Sequence, residues 1–287
     1  FIYDEEGNLV KKIVTAAPVG GAVWEYEWYA NGMLKQVIRP DGKPVSFRYD
    51  PFCRRIEKQF NGRLTRFVWD GNVPLHEWAY PANGRPVVTI DELGGLQQDH
   101  PEPVPPETLA TWVFEDGAFA PSAKIINGRQ YAIISDHLST PCEAYDETGQ
   151  KVWSCELDIY GNVRKLEGDR ELVPFRYQGQ YEDAETGLYY NRNRYYDPYI
   201  GLYISQDPIR TDGGLQLYGY VMDTNAWVDV FGLAPTPAAP TPPPQPAGIV
   251  YLRTDPFTGN EYVGQAISEK QFKDRQRKHN RKLRKKT

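Results

Sequence analysis

From Leu64 to Trp69 apolar and polar side chains alternate, and Tyr131 to Ile134 is a short apolar run. A period of two over four to eight residues, bounded by turn formers, is the pattern of a half-buried strand. The boundaries share a theme, Tyr-Asp-x-x-x-Gly. Tyr3-Asp4 leads to Gly7, Tyr145-Asp146 to Gly149 and Tyr196-Asp197 to Gly201, with variants at Tyr49-Asp50 and Trp69-Asp70-Gly71. Tyr160-Gly161-Asn162 and Asn61-Gly62 supply further turns. In each, the aromatic can end a strand, the Asp can cap the turn, and Gly or Asn can take a positive φ. The pattern predicts an all-β chain of successive hairpins.

Two stretches break this rhythm. Residues 91–108, with Asp91, Glu92, Asp99, Glu102, Glu107 and four prolines, are expected to be an exposed acidic loop. Residues 234–247 carry seven prolines and predict an extended linker. The domain plan is therefore 1–233, a linker at 234–247, and a C-terminal piece at 248–287.

Composition sharpens that division. Among 287 residues there are 20 Tyr, 25 Gly and 24 Pro but only 2 Met, which favours many short strands over helices. The net charge of −5 conceals +7 on residues 248–287 (eleven Lys/Arg against four Asp/Glu), leaving −12 on residues 1–247. So uneven a split argues for two units with different partners, only the second suited to nucleic acid. No run of 18 apolar residues suggests a membrane span, and no initiator Met or apolar leader opens the chain. The expectation is a start within a longer polypeptide. Cys53, Cys142 and Cys155 are too far apart in sequence for CxxC spacing, and buried free thiols are expected. His76, His100, His137 and His279 are too scattered to suggest a metal cluster.

The Tyr-Asp theme resembles the YD repeats of Rhs proteins and of the C subunits of bacterial toxin complexes. The resemblance covers about residues 1–233. It is strongest from Phe175 to Leu233, through Tyr181-Glu182-Asp183, Tyr189-Tyr190-Asn191-Arg192-Asn193-Arg194-Tyr195-Tyr196-Asp197-Pro198 and Asp207-Pro208-Ile209. It implies an all-β shell of hairpins spiralling into a hollow cocoon around a C-terminal toxin, here with a small α+β fragment at the end. The segment Asn225 to Leu233 is similar to the terminus of the Rhs core, whose usual form is Asp-Pro-x-Gly-Leu. On that resemblance Asp207 and Asp229 are a carboxylate pair that cuts the Leu233–Ala234 bond by an aspartyl-protease mechanism, without a cofactor. Two close carboxylates cannot both ionise cheaply, so one can activate water while the other, protonated, polarises the scissile carbonyl. Val230 and Thr224 stand where the family pattern has Pro.

The basic segment resembles the opening of a GIY-YIG endonuclease domain. Two strands around Tyr251 and Tyr262-Val263-Gly264 flank the turn formers of residues 255–260, and a helix is expected from Ser268 to Lys285. The resemblance makes Tyr251, Tyr262, Arg275 and His279 the nuclease residues, with Arg275 and His279 on one helix face. It also implies a Mg²⁺-class divalent metal for the complete toxin, whose carboxylate ligand is expected beyond Thr287, since Glu261 and Glu269 fall in the wrong places. The implied partners are the chain's own cleaved toxin fragment held non-covalently, DNA, a cognate immunity protein and a secretion machinery of the type VI kind. The implied setting is a secreted effector acting in a target cell's cytoplasm during interbacterial competition. The rival reading is a YD-repeat surface or adhesion protein with a non-catalytic basic tail. A sugar-binding shell is weaker, because the tyrosines fall at turns and strand ends.

Overall fold

The computed structural model describes residues 1–15, 21–92, 94–237, 249–254 and 261–266, the last two stretches as backbone only. The chain divides into two compact units, Phe1–Ala239 and Pro240–Thr287. In the first, fourteen strands from Ile2–Tyr3 to Val163–Glu167 form one antiparallel sheet in chain order. Each strand pairs with the next, so tight turns suffice as connections.

Those turns explain the recurring Asp. At Asp146 the carboxylate Oδ1 accepts the N–H groups of Thr148 (2.9 Å) and Gln150 (3.0 Å), while the Gly149 N–H donates to the Asp146 carbonyl at 3.0 Å. The ladder slips by one residue beside the turn, between Ala144 and Tyr145, which makes a bulged hairpin loop. Asp50, Asp136 and Asp158 accept the same pair of N–H groups. At the position of Gly149 the first two of these turns carry Cys53 and Ser139, at φ 59° and 60°. The side-chain acceptor, more than the glycine, defines the turn. It also holds non-glycine residues in the left-handed region, which costs them about 1–2 kcal/mol.

The sheet is interrupted once, between Val73–Pro81 and Ala110–Phe114, which pair with each other across the excursion. Residues 91–108 are exposed for most of their length, and part of the loop expected there is strand. Leu96–Gln98 pairs with Val88–Ile90 as a separate two-stranded ribbon. The far end is tied down as well: Trp78 Nε1 donates to the Pro103 carbonyl (2.9 Å) and the Tyr80 hydroxyl to Glu102 (2.7 Å).

A second, four-stranded sheet (Tyr181–Asp183, Leu188–Asn191, Arg194–Asp197, Leu202–Tyr203) packs on the large one. Leu188, Tyr190, Tyr195 and Ile204 meet Leu9, Leu34, Val37, Val45 and Phe47 in one core cluster. These tyrosines bury their rings and spend their hydroxyls on the large sheet. Tyr190 donates to the Cys53 carbonyl at 2.8 Å, and the Tyr195 and Tyr49 hydroxyls are 2.8 Å apart. Tyr189 and Tyr196 donate to the carbonyls of Gly161 and Tyr160, each at 2.8 Å. The tyrosines of this sheet are thus core pillars, and they are not turned outward as a sugar platform would need. Between the sheets Asp183 holds Arg55 (2.5 Å) and Lys58 (3.2 Å), all three buried.

Among the described residues there is no α-helix, only two short 3-10 turns, Ala82–Gly84 and Arg210–Gly213, and no helix is long and apolar enough to cross a membrane. All three thiols are free, yet only Cys155 is buried; Cys53 and Cys142 are partly exposed, contrary to expectation. In the second unit Ile249–Thr254 and Glu261–Ala266 form an antiparallel pair. The helix expected at 268–285 lies outside the described residues.

Candidate functional site

The small sheet ends beside a dense polar cluster. Arg194, in the wholly buried strand Arg194–Asp197, is the hub. Its Nη2 lies 2.9 Å from Asp207 Oδ2 and 3.1 Å from Asp229 Oδ2, and the same nitrogen reaches the Leu233 carbonyl at 3.3 Å. Its Nε donates to the Gly232 carbonyl (2.7 Å) and its Nη1 to the Leu217 carbonyl (3.2 Å). The guanidinium stands 3.7 Å from the centroid of the Tyr203 ring. Arginine's planar fork suits this many acceptors in a way that a lysine ammonium would not.

The two carboxylates are held differently. Asp229, fully buried just after Trp227–Val228, receives the Tyr203 hydroxyl (2.9 Å) and Arg194 on Oδ2 and the Leu233 N–H (2.9 Å) on Oδ1. Asp207 accepts the Ile209 N–H at 2.9 Å on Oδ1, which starts the turn into Arg210–Gly213. Burial lifts the Asp207 carboxyl above its ordinary range, and nearby Asp229 adds to this, against the opposing pull of the Ile209 N–H and Arg194. Gly213 closes the site: a Cβ there would lie 2.3 Å from Asp207 Oδ2 and 2.5 Å from the Leu233 carbonyl oxygen. The Asp207 carboxylate and the Leu233 carbonyl are therefore near neighbours.

The segment leading to Leu233 is gripped along its length. Asn191 Nδ2 donates to the Asp229 carbonyl (2.8 Å) and Asn193 Nδ2 to the Phe231 carbonyl (2.9 Å), while the Phe231 ring meets Phe119 edge-on at 5.3 Å. Val230, where the family pattern has Pro, does not disrupt this grip. Beyond Leu233 the chain turns back, and Thr236–Pro237 pairs with Trp227–Val228. The Leu233–Ala234 bond thus lies in the short connection between two paired strands, next to both carboxylates.

Of the sequence-derived residues, Asp207, Asp229 and Leu233 come together. Tyr251 and Tyr262 lie on the paired strands of the second unit, opposite Gly264 and Arg253. Arg275 and His279 lie outside the described residues. Arg194, Tyr203, Asn191 and Gly213 were not singled out from the sequence. A signal was there for Arg194 and Asn191, since polar side chains in a strand too short and aromatic to be half-exposed must be buried with partners. Among the described residues no group of three or more His, Cys, Asp or Glu could hold a metal ion.

Comparison with known proteins places the first unit. The Teneurin YD-shell family matches residues 107–219. The chain is 31% identical over 241 residues to a probable deoxyribonuclease RhsA of Dickeya dadantii, 82% of this chain and 15% of that protein. It is 32% identical over 261 residues to the double-stranded DNA deaminase toxin A of Burkholderia cenocepacia, 82% of this chain and 17% of that one. To the toxin protein Tse5 of Pseudomonas aeruginosa it is 34% identical over 246 residues, 77% and 18% respectively. The chain thus spans less than a fifth of these relatives. In fold it is similar to the Photorhabdus luminescens Tc holotoxin pore, with a TM-score of 0.56 and 23% identity over 76% of this chain and 10% of that one.

Proposed function

Since this chain belongs to the Rhs/YD-repeat toxin family, we propose that it is the closing part of a secreted effector shell that cuts its own chain after Leu233. The observation that carries the reading is the single Arg194 nitrogen shared by Asp207, Asp229 and the Leu233 carbonyl. In this reading Arg194 polarises the carbonyl and counters the charge that develops on its oxygen. Asp207, whose proton burial favours, is the acid beside that oxygen. Asp229 fixes the peptide through the Leu233 N–H. A water adds to the Leu233 carbonyl carbon, the C–N bond to Ala234 breaks, the amine of Ala234 takes up a proton and Leu233 keeps the new carboxylate. Attachment within one chain supplies proximity, and one turnover is enough.

Intact-mass analysis after incubation tests this directly. The wild type is expected to yield a fragment beginning at Ala234, with Asp207→Asn and Asp229→Asn remaining whole. A folded wild-type chain that stays full length would overturn it, and would leave the YD-repeat surface-protein reading standing.

For the tail, we carry forward the nuclease reading of Tyr251, Tyr262, Arg275 and His279, supported by the basic charge of residues 248–287 and by relatives whose names denote DNA-directed enzymes. The described residues do not supply the carboxylate set of the Mg²⁺-class metal this chemistry needs. Magnesium-dependent plasmid nicking that is severely impaired by Arg275→Ala is the test of this reading. The charges of −12 and +7 favour retention of the cut tail by the shell, testable by co-elution in size-exclusion chromatography. Delivery by a secretion machinery into a target cell's cytoplasm and protection of the producer by an immunity protein belong to the same reading.

A further inference from the structure

Two guanidinium groups line one small cavity with hydrogen-bond donors to spare. Arg55 is 1% exposed; its Nη1 binds Asp183 at 2.5 Å, and its Cζ lies 4.6 Å from the Tyr190 ring centroid and 4.9 Å from that of Phe67. Its Nε and Nη2 have no partner. Arg192, held at φ 55°, has a buried Nη1 that is also unpartnered, and its Nη2 only just reaches Asn72 Oδ1, at 3.5 Å. Both residues line a cavity of about 30 Å³ whose wall includes Trp69, Tyr190 and Phe231.

The local charges do not balance. Asp183 is shared by Arg55 and Lys58, Glu185 is taken by Lys58 (2.9 Å) and Asp50 by Arg54 (2.6 Å). Arg192 forms no ion pair among the described residues, and burial pushes its guanidinium below its usual value. An unpaired donor in an apolar wall is costly, more so when it is charged. Arg192 is only partly exposed, so water filling the cavity would satisfy the N–H groups and leave much of the charge uncompensated. A monoanion answers both needs. About 10–15 Å³ on this measure is enough for one water, so a cavity of about 30 Å³ has room for a halide-sized ion.

We propose that this cavity is a binding site for a single chloride-class monoanion bridging Arg55 and Arg192, on the wall that also receives Val230 and Phe231. The test is a crystal of the full chain grown in bromide, with diffraction data collected at the bromine edge. An anomalous peak is expected within hydrogen-bonding distance of both guanidiniums. In parallel, the melting midpoint in sodium chloride or bromide should exceed that in sodium gluconate at equal ionic strength by on the order of 2–4 °C. Arg192→Gln should abolish that difference. A cavity holding water with no anomalous signal, or a wild-type midpoint indifferent to halide, would overturn the proposal.

Discussion

Replacing Arg194 by lysine keeps one positive charge in the cleavage site and removes the fork that distributes it. The wild-type side chain serves five acceptors: the carbonyls of Leu217, Gly232 and Leu233 and the carboxylates of Asp207 and Asp229. A lysine has three donors on one nitrogen, so at least two acceptors lose their partner, in a place where Arg194 is 2% exposed and water cannot substitute. Hydrogen bonds to charged groups contribute about 1.5–3 kcal/mol each, so with two lost the folded state should lose roughly 3–6 kcal/mol. The rate should suffer separately. Losing one preorganised donor to a developing oxyanion costs about 10²–10³-fold. The assay is the time course of the fragment beginning at Ala234, followed by intact mass at a temperature where near-ultraviolet circular dichroism shows the variant folded. Self-cleavage of Arg194→Lys is expected to slow by about 100-fold or more. A folded variant that cuts at the wild-type rate would refute the role given to the shared nitrogen.

Other outcomes follow from the same geometry. Gly213→Ala should slow cleavage by about 100-fold, since its Cβ must push Asp207 or the Leu233 carbonyl aside, and the same time course reads it. Because Asp207 is raised, its ionised form costs stability, which is lost as pH climbs from the ordinary carboxylate range through the raised value. Asp207→Asn should therefore melt higher than wild type at neutral pH, and the gap should vanish on acidification below the ordinary range. Wild-type cleavage should slow as pH rises through that same window, seen in a pH–rate profile. Arg55→Met leaves Asp183 buried with only Lys58 at 3.2 Å, and should cost about 3–5 kcal/mol in denaturant unfolding.

Much of the first unit was legible in the chain because its information is local. A period of two and recurring Asp, Asn and Gly turn signals specify strands and turns within a few residues, and next-neighbour pairing then orders fourteen strands without long-range decisions. Asp207, Asp229 and Leu233 were legible as a motif. What only the tertiary structure decided is what lies between them. Arg194 is 13 residues before Asp207 and 35 before Asp229, and no spacing rule ties one nitrogen to all three groups. The tyrosines are buried pillars because a second sheet covers the first, and period-two patterning does not say which face is covered or by what. The ribbon at Val88–Ile90 and Leu96–Gln98 escaped notice because prolines and acids around it mask a pairing only three residues long. Buried charge is the common thread: Arg55, Arg194 and Asp183 look like surface residues in a sequence, and only the packing of one sheet on another takes them out of water and obliges them to find partners.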